Sequence, residues 1–319
     1  MTYQDSFGYL PVLHSFSLSC GSVTPLPVIR NAVETVEADA NVDGYLYPPL
    51  LRRVTSHDRG KTWEEIPGSK RPALLHRLPA THTIELPHHA ENQKVARFGL
   101  AGFIVHFLGF LCGRRLQFHD WWVDGRVALK SASDHSEPSA DDAVFLLESA
   151  IPTWSAWKER QRLVALNALF LKSRTHVYEL EWERFQAEYQ VFDALYAVAR
   201  DVGHVSEEKH RDRIPAVCKA FGIPHDPSRV DTIVRLRNDL LHEALWDGRM
   251  PGAAARPAAF YASIWLDRLS RRLTFALLGM RGQYLRGHWW SLSHSELSIE
   301  GSPSWQRASG TESGGQASS

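Results

Sequence analysis

The spacing of apolar residues divides the chain into two parts with different periods. In residues 1–92, short apolar or alternating runs over 9–13, 15–18, 23–29, 50–55 and 81–86 are separated by Gly, Pro and Asp-Gly signals, a pattern typical of strands and tight turns. From about residue 141 onward, apolar residues recur every three or four positions, which predicts amphipathic helices. The sequence therefore predicts an α+β protein, with a β-rich N-terminal domain over 1–135, a polar linker near 131–139 and an all-α antiparallel helical bundle over 141–290.

Two further segments have a pattern of their own. The apolar run 98–113 predicts a core helix near 98–112, because it is shorter than the roughly 20 residues that cross a bilayer and contains four glycines. Membrane contact is the alternative for this run. The Ser/Gly-rich segment 306–319 predicts a disordered tail. The aromatic residues before it are interpreted as packing or capping groups: Tyr284, Trp289, Trp290 and Trp305.

Composition narrows the class of protein. The 319 residues include 36 basic and 36 acidic side chains, so no overall field attracts nucleic acid or anionic membrane, and a nucleic-acid site must be a local patch. Three dispersed cysteines give neither a disulfide framework nor a metal-ligand spacing. The N-terminus lacks the basic and apolar regions of a secretion signal. A cytoplasmic protein without a membrane partner is the simplest interpretation.

The helix predicted over 228–246 contains a charge in an unexpected place. Its apolar residues form a face about half the circumference wide, and Arg237 projects from inside that face. Asn238 and His242, four residues apart, stack on its polar edge. A guanidinium in a core position is costly unless it is paired or faces a cleft. One explanation is a structural ion pair with a carboxylate of the preceding long helix, for which the candidates are Glu179, Glu181 and Asp193.

The same stretch resembles a known signature. The segment 234–243, VRLRNDLLHE, is similar to the R-x4-6-H signature of HEPN domains (higher eukaryotes and prokaryotes nucleotide-binding) in its R-N-x3-H form. Its context resembles the ApeA-like branch of that superfamily: a long aromatic helix over 185–202, a charged helix over 207–221 that ends at Phe-Gly-Ile, and the closing sequence LLGMRGQY at 277–284. The resemblance spans about 155–290.

The resemblance implies a bundle that dimerises so that two copies of the motif face one cleft. Many members are metal-independent ribonucleases of phage defence or toxin–antitoxin systems, and others are non-catalytic binding or dimerisation modules. Arg237 and His242 match the signature positions, and Asn238 matches the polar residue that often follows the arginine. The expected partners are an RNA substrate, single-stranded or tRNA-like, a second copy of the chain, and an antitoxin or defence protein. No cofactor or metal is expected.

These residue types suit metal-independent RNA cleavage. Histidine can transfer protons near neutral pH, and arginine can hold two phosphate oxygens in a bidentate fork. Asn238 could orient the imidazole or bond a phosphate. Because one chain supplies one motif histidine, an acid and a base together are most simply obtained across a twofold axis. The second hypothesis is a non-catalytic nucleotide-binding or dimerisation module.

Two N-terminal patterns suggest glycan chemistry and metal binding. The sequence SHDRGKTW at 56–63 matches a single Asp-box of the kind found in sialidase-like propellers, but a propeller needs several blades, so we interpret it as a hairpin. The histidines at 76, 82, 88 and 89, with Glu91, invite a metal hypothesis. Adjacent histidines cannot both face one ion in a regular strand, and no second cluster has zinc-like spacing.

Overall fold

A computed structural model describes residues 2–47, 51–57, 60–66, 75–87, 93–131, 134–175, 178, 180–252 and 257–313. It is a mixed α+β fold, 53% helical, with an antiparallel sheet in the N-terminal part and helices in the C-terminal part. The predicted α+β class is therefore confirmed.

The N-terminal part is built on a five-stranded sheet with the order β2-β3-β8-β1-β9. These strands are β1 (Thr2–Gly8), β2 (Phe16–Leu18), β3 (Gly21–Pro25), β8 (His82–Pro87) and β9 (Gln117–Phe118). All the pairings in this sheet are antiparallel, and β1 pairs with β8 from Thr2↔Pro87 to Phe7↔His82. Three two-stranded pairs involve β4 (Tyr45–Leu46) with β11 (Val127–Ala128), β5 (Leu51–His57) with β6 (Gly60–Ile66), and β7 (Leu75–His76) with β10 (Val123–Asp124).

The strand predictions were partly wrong. Residues 9–13 were expected to form a strand, but the first strand is β1, and residues 9–15 are irregular. The alternation of buried and exposed residues in β1 does not appear as an apolar pattern in the sequence. One of its buried residues is Asp5, which pairs with Arg97 at 2.6 Å. A helix, α1 (Ile29–Asp39), was missed because its first residue was assigned to a strand over 23–29. The predicted hairpin at the Asp-box is formed by β5 and β6, while residues 58 and 59 lie outside the described residues.

The predicted core helix is α3 (Leu100–Leu111), preceded by the short α2 (Gln93–Arg97). Every residue of α3 from Ala101 to Leu111 is buried. The window Lys94–Leu111 is long and apolar enough to be a membrane-span candidate, but 72% of it is buried inside the fold, as expected for the core helix of a soluble protein. A Cβ at Gly102 would lie 1.8 Å from the carbonyl oxygen of Arg97, so glycine permits the close approach of α2 and α3.

The C-terminal part contains the helices α4 (Ala140–Ala156), α5 (Glu159–Lys172), α6 (Glu181–Asp201), α7 (His210–Phe221), α8 (Pro227–Glu243), α9 (Pro257–Leu277) and α10 (Gln283–Arg286). Helix α6 packs on α5 and α9, and α8 packs on α7 and α9. One hydrophobic cluster extends from Tyr3 to Ile299 and includes α3, which packs against α4 and α5. Residues on both sides of 131–139 thus share one core, and the division into two domains stays a prediction.

The end of the chain differs from the expected disordered tail. Helix α11 covers Pro303–Ser313, so residues 306–313 are helical, while 314–319 lie outside the described residues. The backbone N–H of Ser304 donates to the Asp142 carboxylate at 2.9 Å, which anchors the first turn of α11 to α4. The prediction that Tyr284 and Trp289 are packing residues is confirmed, because both are buried and each donates a hydrogen bond, to Asp134 and to the Pro224 carbonyl.

A buried charge cluster joins three of the helices. The Lys172 ammonium at the end of α5 lies 2.6 Å from the Glu188 carboxylate of α6 and 2.5 Å from the Asp267 carboxylate of α9. All three side chains are at most 7% exposed. Buried charges are tolerated only when they are paired in this way.

Candidate nucleic-acid site

The helix that carries the motif, α8, has well-defined ends. The Asp226 carboxylate accepts hydrogen bonds from the backbone N–H groups of Ser228 and Arg229, with Pro227 at the first position, and caps the N-terminus. Ala244 adopts a left-handed conformation with φ 55°, so the helix ends at Glu243 rather than at the predicted residue 246.

The face of α8 that packs on the core is narrower than predicted. Val230, Ile233 and Leu236 are its buried residues, whereas Leu241 is 47% exposed. Arg237 is half-buried at the edge of the packed face, with its guanidinium 5.9 Å from the Tyr189 ring of α6.

The three predicted site residues lie together. The Nη1 atom of Arg237 donates to Asn238 Oδ1 at 3.1 Å and lies 2.9 Å from His242 Nε2. Asn238 and His242 are exposed, so the cluster faces solvent. Its side chains are therefore accessible to a large ligand.

Among the described residues, no structural ion pair explains Arg237. Within the described part of the chain, no carboxylate lies within 4.0 Å of this guanidinium, and Asp193 pairs instead with Arg213 at 2.9 Å. Glu179 lies outside the described residues. The side chains that contact Arg237 carry no fixed negative charge, so its guanidinium is able to receive an anion.

The structure adds a second histidine, His210, to the cluster. It is the first residue of α7, and its Nε2 atom lies 3.2 Å from Arg237 Nη2. On the opposite side of the ring, His210 Nδ1 lies 3.1 Å from Arg213 Nη1 and 3.4 Å from the Tyr189 hydroxyl. The two imidazoles therefore contact the two terminal nitrogens of one guanidinium.

These contacts favour a neutral His210. Burial, followed by the charges of Arg213 and Arg237, lowers the pKa of His210, and the Asp193 carboxylate opposes this effect only in part. The position of His210 at the N-terminus of α7 acts in the same direction, because the helix dipole disfavours a positive charge there. Burial also raises the pKa of Tyr189 to about 12, so this phenol stays protonated at neutral pH.

The sequence pattern did not identify His210 because the start of α7 was placed too early. The charged helix was expected to begin at residue 207, but it begins at His210. The Tyr196 hydroxyl holds the preceding segment extended: it donates to the Ser206 carbonyl at 2.8 Å and accepts from the Glu208 N–H at 2.7 Å. The available signal was the spacing of His210 and Arg213, which places both on one helix face.

We expect Tyr196→Phe to lower the free energy of unfolding by about 1–2 kcal/mol, because it leaves two backbone groups without their partner. Urea denaturation followed by circular dichroism measures this change. Tyr261→Phe is the matched control, since the Tyr261 hydroxyl makes no hydrogen bond among the described residues. Equal stability of the wild type and Tyr196→Phe would show that Tyr196 does not anchor the segment before α7.

Elsewhere among the described residues, the structure shows a cavity of different chemistry and no metal cluster. A cavity of about 610 Å³ lies against α2, α4 and α5, where Phe98, Trp154 and Leu163 give it a largely apolar lining. No group of three or more His, Cys, Asp or Glu side chains suited to a metal ion occurs among the described residues. Of the metal candidates, His88, His89 and Glu91 lie outside the described residues.

No protein family, curated protein or solved structure matches the chain. The chemistry of the site must therefore be inferred from its own geometry.

Proposed function

We propose that this protein is a metal-independent endoribonuclease of the HEPN type. The observation that carries the proposal is the Arg237 guanidinium, which has no carboxylate partner in the described part of the chain and lies 2.9 Å from a solvent-facing histidine, His242. Arginine recognises phosphate in a bidentate fork, and histidine is the side chain best suited to proton transfer near pH 7. The combination fits a phosphodiester substrate.

Each predicted residue has a role in this reaction. Arg237 binds the scissile phosphate and offsets the charge that develops on its oxygens. His242 transfers a proton to or from a reacting oxygen. Asn238, whose amide oxygen accepts from Arg237, holds the guanidinium toward the substrate. In cleavage, the 2′-oxygen of the ribose attacks phosphorus and the bond to the 5′-oxygen breaks, which yields a 2′,3′-cyclic phosphate and a 5′-hydroxyl.

We further propose that the protein acts in the cytoplasm as a homodimer in phage defence or as the toxin of a toxin–antitoxin pair. The dimer is supported by the exposure of Leu241, an apolar side chain beside His242. Light scattering on the purified chain measures the oligomeric state. A monomer at the concentrations at which RNA is cut would exclude a composite site.

The test of the function is cleavage of total RNA in the presence of a chelator. We expect Arg237→Ala to lower the rate by about 10²–10³-fold, the loss typical when a donor to transition-state charge is removed. Arg235→Ala is the matched control, because Arg235 is on the same helix but pairs with Asp239 and Asp247. The cyclic phosphate product identifies the reaction.

The alternative is a non-catalytic nucleotide-binding or dimerisation module. It predicts that Arg237→Ala disrupts the dimer or the fold while no variant cuts RNA. Absence of cleavage by the wild type in every RNA preparation, combined with no toxicity on expression, would overturn the ribonuclease proposal in favour of this module.

A further inference from the structure

We infer that His210 is a second catalytic residue of this site, the general base that removes the 2′-hydroxyl proton while His242 protonates the leaving 5′-oxygen. One chain would then supply both proton-transfer groups. This inference rests on the proposed ribonuclease function and departs from the expectation that the second histidine comes from another copy of the chain.

The two histidines share one guanidinium. His242 Nε2 lies 2.9 Å from Arg237 Nη1, and His210 Nε2 lies 3.2 Å from Arg237 Nη2. A phosphate held by both terminal nitrogens of Arg237 would place two of its oxygens where the two imidazole nitrogens now lie. The phosphate would displace both contacts and lie between the two rings, with one Nε2 atom on each side.

The contacts of His210 determine its protonation state. A guanidinium has donors only, so an imidazole nitrogen that bonds it must accept. Both ring nitrogens of His210 face a guanidinium, that of Arg237 at Nε2 and that of Arg213 at Nδ1. A neutral imidazole can accept at one of them, and an imidazolium can accept at neither. The surroundings thus hold His210 neutral, which is the form that a base needs.

The two histidines lie at opposite kinds of helix end. His210 is the first residue of α7, where the dipole disfavours a cation, and His242 lies in the last turn of α8, where the dipole favours one. His210 therefore fits the base that enters the reaction neutral. His242 Nε2 also accepts from Arg237 in the free protein, so His242 becomes the acid only after the bound phosphate has displaced that contact and this nitrogen has taken up a proton.

Neighbouring groups fix the His210 ring. The Tyr189 hydroxyl and Arg213 contact Nδ1, and Asp193, which pairs with Arg213, lies 4.0 Å from the same atom. These three are positioning residues, since they act on the substrate only through His210. With Arg237 and His242 they are the charged and titratable groups that face this imidazole from α6, α7 and α8.

The step balances within the chain and the RNA. His210 Nε2 takes the 2′-hydroxyl proton, the 2′-oxygen forms a bond to phosphorus, and the bond from phosphorus to the 5′-oxygen breaks. His242 gives its proton to that oxygen. The products are the cyclic phosphate and the 5′-hydroxyl, with the two histidines in exchanged protonation states. No co-reactant is needed.

The test is the pH dependence of the cleavage rate in chelator. The wild type is expected to lose activity as the pH falls through the pKa of His210, because protonation removes the base, and this acidic limb should lie below about 6.5, the ordinary histidine value. His210→Ala should lower the rate by about 10²–10⁴-fold and abolish the acidic limb. Arg213→Gln should move the limb to higher pH, since it removes a positive charge that lowers the pKa of His210.

A second measurement does not depend on catalysis. Inorganic phosphate is titrated into the wild type and the imidazole resonances are followed by ¹⁵N NMR. The His210 and His242 signals should shift with one common saturation curve, while those of His225, an exposed histidine after α7, should not move.

The outcomes separate the two proposals. If the wild type cuts RNA but His210→Ala keeps the rate and the acidic limb, or phosphate moves His242 without His210, the role of His210 is wrong and the ribonuclease proposal stands. If the wild type cuts no RNA, both fall. Loss of the acidic limb together with joint phosphate shifts supports His210 as the base.

Discussion

His242→Ala is expected to lower the rate of RNA cleavage by about 10²–10⁴-fold, the range lost when a positioned proton-transfer group is removed. The imidazole is exposed, and its Nε2 atom contacts Arg237 Nη1 at 2.9 Å. Because little packing is lost with an exposed side chain, the unfolding free energy should change by no more than about 0.5 kcal/mol. The substitution should therefore lower the activity without lowering the stability.

The measurement is the initial rate of cleavage of one RNA in chelator, together with a urea denaturation curve for each protein. His225→Ala controls for the loss of an exposed imidazole elsewhere on the surface, and its rate should equal that of the wild type. A His242→Ala protein that cuts RNA at the wild-type rate would remove His242 from the reaction. A protein that is inactive and also unfolded would indicate a structural role.

The part of the site that lies on one helix could be predicted from the sequence. Arg237, Asn238 and His242 fall within six consecutive positions of α8, so helical geometry alone brings them to one edge. The fold class followed similarly from the change of apolar period near residue 141. These predictions needed only contacts that are local in the chain.

The rest depends on tertiary packing. His210 is 27 residues before Arg237, and it reaches the same guanidinium only because α7 and α8 pack together. The Asp193 carboxylate was a candidate partner of Arg237, but the nearer Arg213 pairs with it. The periodicity indicated which side of α8 packs on the core, although over too wide a face, and it did not show which polar edges of the helices would meet.

Buried charged residues are also difficult to predict from the apolar pattern of a sequence. Asp5 occupies a buried position of β1, and Lys172 is buried at the end of α5, so both interrupt the apolar patterns from which a core is predicted. Each is explained by a partner distant in sequence: Arg97 for Asp5, and Glu188 with Asp267 for Lys172. The sequence identifies such residues as polar but cannot identify the partner that permits their burial.

Lys172→Met is accordingly expected to lower the free energy of unfolding by about 3–5 kcal/mol at pH 7, the cost of breaking a buried ion pair from one side. Methionine has a similar length but no charge, so Glu188 and Asp267 would lose their common ammonium partner. Asp267 keeps Arg271 at 3.3 Å, whereas no other cation forms an ion pair with Glu188 among the described residues. Most of the loss should therefore arise at Glu188.

Arg200→Ala is the control, since its exposed pair with Glu207 is worth about 0–1 kcal/mol.

The pH dependence of this loss distinguishes an uncompensated charge from lost packing. Burial raises the pKa of Glu188 in the folded protein even with Lys172 present, and removal of the ammonium raises it further. A carboxyl whose folded pKa exceeds its unfolded value, about 4.3, binds a proton more tightly when folded, so the variant should regain stability relative to the wild type as the pH falls from 7 toward 5. Urea denaturation at both pH values measures the difference. A loss that is the same at both pH values would assign the cost to packing, and a loss below about 1 kcal/mol would show that the three charges contribute no more than a surface pair.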